Sequence, residues 1–210
     1  MSSLYGGLPG MPAPLARLVE HLGTLPGIGP KSAMRLGLSL LSKPAEEVKQ
    51  LADCLSDLHA SMGFCKQCGA FAEHEHCTIC ENLRRDASVI CVVEQPVDVL
   101  MLERGRGFSG HYHVLHGRLS PIDGLGPEQL RIASLDRRVA GPDVQELILA
   151  TSATVDGEAT AHFLARRYMA GHVKISRIAR GVPEGGELEY LDEYTLSRAM
   201  DQRVVWEQHA

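Results

Sequence analysis

The sequence predicts a multidomain α/β protein: a helical N-terminal domain, a four-cysteine module, an α/β sheet domain and a C-terminal helix/strand segment. Three observations predict it. A glycine-punctuated turn at residues 25–31 separates two amphipathic runs, cysteines recur in Cys-x-x-Cys pairs between residues 65 and 80, and strand and helix patterns alternate from Ser88 onward. With 210 residues and 44% hydrophobic content the chain can bury a real core. No apolar run approaches the ~20 residues of a membrane span. Met1 to Pro14 lack a basic stretch followed by a hydrophobic one, so no secretory signal is expected.

Helices are expected over Leu15 to Leu22 and Lys31 to Leu41, flanking Leu25-Pro26-Gly27-Ile28-Gly29-Pro30-Lys31. Two glycines one residue apart permit positive φ and close approach to a ligand. Pro30 suits the first helical position, and the free N–H groups and dipole of that helix form an anion site. Lys31 and Arg35, at i and i+4, stand on one face beside it. This arrangement grips a nucleic-acid phosphate without reading a base. Gly29-Pro30-Lys31-Ser32 is not a P-loop, which needs an adjacent Gly-Lys and an earlier glycine. A ligand-free helical turn is the competing reading. The segment resembles the helix-hairpin-helix motif of DNA-repair proteins, which implies sequence-independent binding of duplex or single-stranded DNA through Gly27, Gly29, Lys31 and Arg35.

Net charge is −5, yet its distribution is uneven. From Leu15 to Lys43, Arg17, Lys31, Arg35 and Lys43 face Glu20 alone, whereas residues 181–210 are strongly acidic. A single copy would hold DNA weakly, so several copies acting together are expected. Pro44 restarts a helix in which Val48, Leu51, Leu55, Leu58 and Met62 form a stripe. That stripe reads as core packing, within the domain or against another subunit.

Cys65-x-x-Cys68, eight residues, then Cys77-x-x-Cys80 supplies four thiolates for one tetrahedral Zn²⁺ with no open position for chemistry. The segment is too short to bury a core, and zinc would supply the folding energy. His74 and His76 are alternative ligands, disfavoured because the cysteines complete the set. Cys54 and Cys91 read as buried packing residues. Paired cysteines without an export signal point to metal rather than disulfides, and to the reducing cytoplasm. A scaffolding role is favoured over a DNA-binding finger.

Ser88 to Glu94 reads as a buried strand ending in an acid, Pro96 to Arg104 as a helix and His111 to His116 as a strand. Glu146 to Thr151 is a further strand, Glu158 to Met169 a helix and Val173 to Ala179 a strand. The result is a small, mostly parallel sheet with loops gathered at the strands' carboxyl ends. Gly105-Arg106-Gly107-Phe108-Ser109-Gly110 matches G-x-G-x-x-G but precedes a strand, so dinucleotide binding is rejected. His111 and His113 share a strand face without acids to support a metal.

This segment resembles the Toprim domain of topoisomerases, primases and some nucleases. In active relatives a glutamate ends the first strand and an Asp-x-Asp pair follows a later one, together holding Mg²⁺. Glu94 fills the first position. Aligning Gly157-Glu158-Ala159 with the family places Ser152 and Thr154 where the aspartates would stand. Two hydroxyls cannot replace two carboxylates around a hard cation. Asp156 and Glu158 leave weak Mg²⁺ binding with Glu94 open, but read first as helix N-terminal charges.

A hairpin motif, a four-cysteine module and a Toprim domain with a defective acidic pair, in this order, resemble the bacterial RecR family of recombination mediators. Phe108-Ser109-Gly110, Leu119 to Gly124 and Arg180 to Leu188 are also similar to that family. The resemblance runs from about Leu15 to Asp201. It implies a non-enzymatic DNA-repair protein, cytoplasmic and at the nucleoid during repair. With RecO and RecF it would promote recombinase loading at single-stranded gaps, as a dimer or ring-like tetramer. The implied domains are 1–63 helix-hairpin-helix, 64–87 zinc module, 88–180 Toprim and 181–210 a Walker-B-like oligomerisation segment. Glu187 to Asp192 cannot bind ATP in the usual manner without a P-loop. Glu94, Asp156 and Glu158 are the expected partner-binding acids. Ser152-Ala153 departs from the Asn-Pro common in the family, and Met1 to Pro14 read as an irregular arm. The alternative is a Mg²⁺-dependent Toprim nuclease or primase-like phosphotransferase.

Overall fold

The computed structural model describes residues 10–204, so most of the expected N-terminal arm and the last six positions lie outside the described residues. The chain divides into two compact units, meeting in sequence at Ser61 and Met62.

The first unit is helical. Helix α1 (Ala13–Gly23) and helix α2 (Pro30–Leu41) pack through Val19 and Ala33, both buried. Gly37 sets their approach: a Cβ there would stand 3.1 Å from the Val19 side chain and 3.3 Å from Leu15. Helix α3 (Ala45–Ser61) has no buried residue. Leu51, Leu55 and Leu58 are exposed, so of the two expected packings, within the domain or against another subunit, the first does not form among the described residues. Cys54 on the same helix is exposed, against expectation, because helical periodicity alone does not say which stripe finds a partner.

The second unit opens with a small hairpin of β1 (Gly63–Phe64) and β2 (Phe71–Ala72), then the short helix α4 (Thr78–Glu81). A parallel four-stranded sheet follows in the order β4-β3-β5-β6. Its strands are β3 (Asp86–Val93), β4 (Gly110–Val114), β5 (Glu146–Leu149) and β6 (Lys174–Arg177). Strand β4 therefore ends before His116, which adopts φ 61° in the turn beyond it.

Helices α5 (Pro96–Arg104) and α7 (Val155–Tyr168) follow β3 and β5, and α6 (Ile132–Val139) precedes β5. Alternation along β3 supplies both sheet faces. Ile90 and Val92 join Leu147, Leu149, Leu135 and Leu164 in one buried cluster. Cys91 and Val93 join Val99, Tyr112 and the cysteines of the four-cysteine module in the other. The module is thus packed on the sheet and is no separate bead. Helix α8 (Glu193–Asp201), capped by Asp192, closes the described chain.

Candidate nucleic-acid interface, metal centre and acidic cluster

The hairpin between α1 and α2 is closed by local hydrogen bonds. The Leu25 N–H donates to Leu22 O at 3.2 Å, and the Ile28 N–H to Leu25 O at 3.1 Å. Gly27 has φ +79°, which a side chain rarely adopts. Gly29 corrects the sequence expectation: its backbone is extended (φ −79°, ψ 171°) and open to any residue. What Gly29 adds is space, since a Cβ at either glycine meets nothing within 4 Å. Gly29 is the N-cap of α2, Pro30 is the first helical residue, and no side chain caps the first turn. The helix end therefore presents uncapped N–H groups and the positive end of its dipole. Lys31 and Arg35 are exposed. Main-chain donors beside two cations are groups that could hold an anion such as a phosphate.

Cys65, Cys68, Cys77 and Cys80 place their sulfurs within 4.8 Å of one another, the first three being buried. Cys68 Sγ and Cys77 Sγ are 3.5 Å apart. A tetrahedron with bonds of ~2.3 Å has sulfur–sulfur edges of about 3.8 Å, so these ligands fit zinc. Each knuckle is locally organised: Cys65 N–H donates to Ala70 O at 2.8 Å, Gly69 N–H to Cys65 O at 2.9 Å, and Ala70 N–H to Cys68 Sγ at 3.4 Å. Gly69 turns with φ +80°, and a Cβ there would lie 2.8 Å from Arg131 Nη1. Hydrogen bonding with Cys77 pushes the Cys68 thiol up to about 12, while the same contact holds Cys77 low. A bound dication removes that conflict by taking all four as thiolates. His74 and His76 are exposed and outside the cluster.

The first knuckle is fastened to the sheet. Val114 N–H donates to Cys68 O at 2.7 Å, and His116 Nε2 meets Gly69 O at 2.7 Å. Arg131 Nη2 donates to Lys66 O at 3.2 Å. Because β4 is an edge strand, the module also covers an open edge. Cys91, buried beneath, is a packing residue as expected, and burial pushes its thiol up to about 12.

The third locus lies at the carboxyl ends of the strands. Glu94 follows β3 and is 6% exposed. Its Oε1 accepts the Ser152 N–H at 2.7 Å, and its Oε2 lies 3.7 Å from Arg118 Nη1. Arg118 Nε is 3.5 Å from Asp156 Oδ2. Glu158 Oε2 accepts Arg177 Nη1 at 2.6 Å, and its Oε1 touches Arg180 Nη1 in an ion pair without hydrogen-bond geometry. Asp156 and Glu158 also sit in the first turn of α7, as the helix-charge reading expects. Ser152 Oγ and Thr154 Oγ1, 2.7 Å apart, bond to each other, and Thr154 caps α7 by accepting the Gly157 N–H at 3.2 Å. All three carboxylates are met by guanidinium groups. Residue spacing assigns no role to Arg118, Arg177 or Arg180: they come from two segments, the turn beyond β4 and the end of β6, which meet the acids only in the fold.

A cavity of about 340 Å³ adjoins Glu94, bounded by Met101, Leu102, Ala153, Ile178 and Arg180. His111 and His113 on β4 are buried and stand in no metal cluster among the described residues. His113 Nε2 lies 3.0 Å from Arg131 O and its Nδ1 3.4 Å from Arg138 Nη1, so the ring is neutral with its proton on Nε2. Burial holds His113 down at about 3.

Taken together, these parts define a class: a protein joining a helix-hairpin-helix unit to a four-cysteine zinc module and a Toprim sheet. Family models match the chain in four consecutive stretches. These are the RecR helix-hairpin-helix over residues 15–59, the RecR four-cysteine zinc finger domain over 62–82, the Toprim domain over 88–179 and the RecR C-terminal region over 181–204. The chain is 50% identical over 190 residues to "Recombination protein RecR" of Heliobacterium modesticaldum, covering 90% of this chain and 96% of that protein. It is 51% identical over 186 residues to the proteins of the same name from Acidothermus cellulolyticus and Streptomyces coelicolor, covering 89% of this chain and 94% of each. The chain belongs to the RecR family.

Proposed function

We propose that this chain is a recombinational DNA-repair mediator that binds DNA without sequence preference and works without catalysis of its own. Its relatives are named recombination proteins, which supports the role. The observation that carries the non-catalytic part is the neutralised acidic cluster. By the Toprim resemblance, hydroxyls of Ser152 and Thr154 take the positions of the metal-binding aspartates; they bond to each other, and Arg118, Arg177 and Arg180 occupy the acids that remain. Such a site favours structure over Mg²⁺-dependent phosphoryl transfer.

In this reading Gly27, Gly29, Lys31 and Arg35 contact phosphates, and Cys65, Cys68, Cys77 and Cys80 hold one structural Zn²⁺. Asp156 and Glu158 form a partner surface for RecO or RecF, with Glu94 supporting it from beneath. The chain works in the cytoplasm as a dimer or ring-like tetramer, and the exposed Leu51, Leu55 and Leu58 suit subunit contact. The domain limits 1–63, 64–87, 88–180 and 181–210 belong to the same proposal. Among the described residues no helix is long and apolar enough to cross a membrane.

The test is incubation of purified protein with end-labelled DNA and Mg²⁺ or Mn²⁺. Intact DNA, bound equally well across sequences, is expected. Turnover that Glu94→Gln abolishes would replace this reading with the phosphotransferase.

A further inference from the structure

We propose a second DNA-backbone contact on the Toprim unit, formed by Arg84, Arg104 and Arg106 at the amino-terminal end of the sheet. It rests on the DNA-binding reading above and adds a site distant from the hairpin motif in sequence and in a different unit.

The site is built around one pair. Arg85 Nη2 contacts Glu103 Oε2, Arg85 Nη1 donates to Gly110 O at 2.8 Å, and Tyr112 OH donates to Glu103 Oε1 at 2.7 Å. Asp86 N–H donates to Ser109 O at 2.9 Å, tying the loop between α5 and β4 to the start of β3. Phe108 packs edge-on against Tyr112, 5.1 Å between ring centres. The base of the Gly105–Gly110 loop is therefore rigid.

From this base three cations emerge. Arg84 adjoins Arg85, Arg104 adjoins Glu103, and the Arg106 N–H donates to Glu103 O at 3.2 Å. All three are exposed. Among the described residues neither the Arg84 nor the Arg106 side chain has a hydrogen-bond or ion-pair partner, and Arg104 reaches only Met101 Sδ at 3.9 Å. Glu103 is already used by Arg85, and Asp86 is held by the Ser88 N–H and hydroxyl. The patch is a local excess of positive charge on a chain of net charge −5.

Arg106 has the most unusual backbone of the three. It adopts φ +51°, a left-handed backbone that costs a non-glycine residue energy, although Gly105 and Gly107 flank it. An arginine at a strained loop tip, exposed and unpaired among the described residues, points to a ligand. Separate guanidinium forks on a rigid base suit the repeated charges of a phosphodiester backbone. The patch lies at the opposite end of the eight-residue β3 from Glu94, about 25 Å away, so it is distinct from the acidic cluster.

Fluorescence anisotropy with a thirty-nucleotide oligo-dT, over a salt series, tests this with Arg84→Ala/Arg104→Ala/Arg106→Ala and, separately, Lys31→Ala/Arg35→Ala. The triple variant should bind at least tenfold more weakly, with a salt slope smaller by about 2. Arg106→Gly removes one charge and the backbone strain together. It should be at least as heat-stable as the parent, with a slope smaller by about 0.7, and so keeps the test alive if the triple variant folds poorly. Unchanged affinity and slope in these variants would overturn the proposal, whatever the hairpin variant does. Loss of binding to an acidic protein with DNA binding intact would overturn it too. If instead only the hairpin variant binds normally, the loop stands and the hairpin assignment falls. A parent protein that does not bind oligo-dT would sink both.

Discussion

Ser152 donates its backbone N–H to the buried Glu94 carboxylate at 2.7 Å, which ties the end of β3 to the loop after β5. In this chain the glutamate that ends the first Toprim strand is an internal acceptor. Replacing Glu94 by Ala leaves the Ser152 N–H and Arg118 without their partner and should destabilise by about 1–3 kcal/mol. Glu94→Gln, which keeps an acceptor, should cost less. Thermal unfolding of both variants measures the difference.

Gly157 lies against the same junction. A Cβ there would collide with the Ser152 carbonyl and hydroxyl and stand 2.8 Å from Glu94 Oε1. Gly157→Ala should cost about 1–3 kcal/mol through overpacking. A denaturant midpoint equal to the parent's would show that the α7 N-terminus moves freely.

The zinc module should be inseparable from the sheet it packs on. Cys77→Ser is expected to release zinc and lower stability by several kcal/mol, because Cys65, Cys68 and Cys77 share a buried cluster with Val93 and Tyr112. Metal analysis with thermal unfolding checks it. Zinc retained at one equivalent would shift the fourth ligand to another residue.

Lys31→Ala/Arg35→Ala should weaken DNA binding equally for unrelated sequences and reduce the single-strand salt slope by about 1.4, with no change in melting temperature. Both side chains are exposed, so folding should not depend on them. A change in slope that varied with base composition would mean base readout.

His113 should make stability fall in mild acid. Burial holds its folded value at about 3, below the ordinary 6.5, and the charges of Arg138, Arg131 and His116 oppose protonation further. A group depressed on folding contributes fully above its unfolded pKa and loses that contribution as pH falls toward its folded one. The loss should begin near pH 6.5 and approach about 1.4 kcal/mol per pH unit for this site. His111, also lowered by burial, adds in the same direction. Denaturant titrations between pH 7 and 5 should show a shallower slope for His113→Gln. An identical slope would place the proton uptake elsewhere.

Much of the fold and of the four-cysteine cluster was legible in the chain because local chemistry specifies it. Pro30 after Gly29 starts α2, alternation along Ser88 to Val93 makes a strand buried on both faces, and two Cys-x-x-Cys knuckles at that spacing demand a tetrahedral ion. That Ser152 and Thr154 take the aspartate positions follows from the Toprim resemblance, and residue type then says that two hydroxyls are poor ligands for a hard cation. Tertiary structure alone decided the rest. Helical period marked Leu51, Leu55 and Leu58 as one stripe, but burial depends on what lies opposite, and the described chain leaves them exposed. Arg118 lies about sixty residues before Arg177 and Arg180, and the three become counter-ions for Glu94, Asp156 and Glu158 only when β4, β3, β5 and β6 align in parallel. Charge pairing at a sheet end is a property of converging strands, and no spacing along a single strand encodes it.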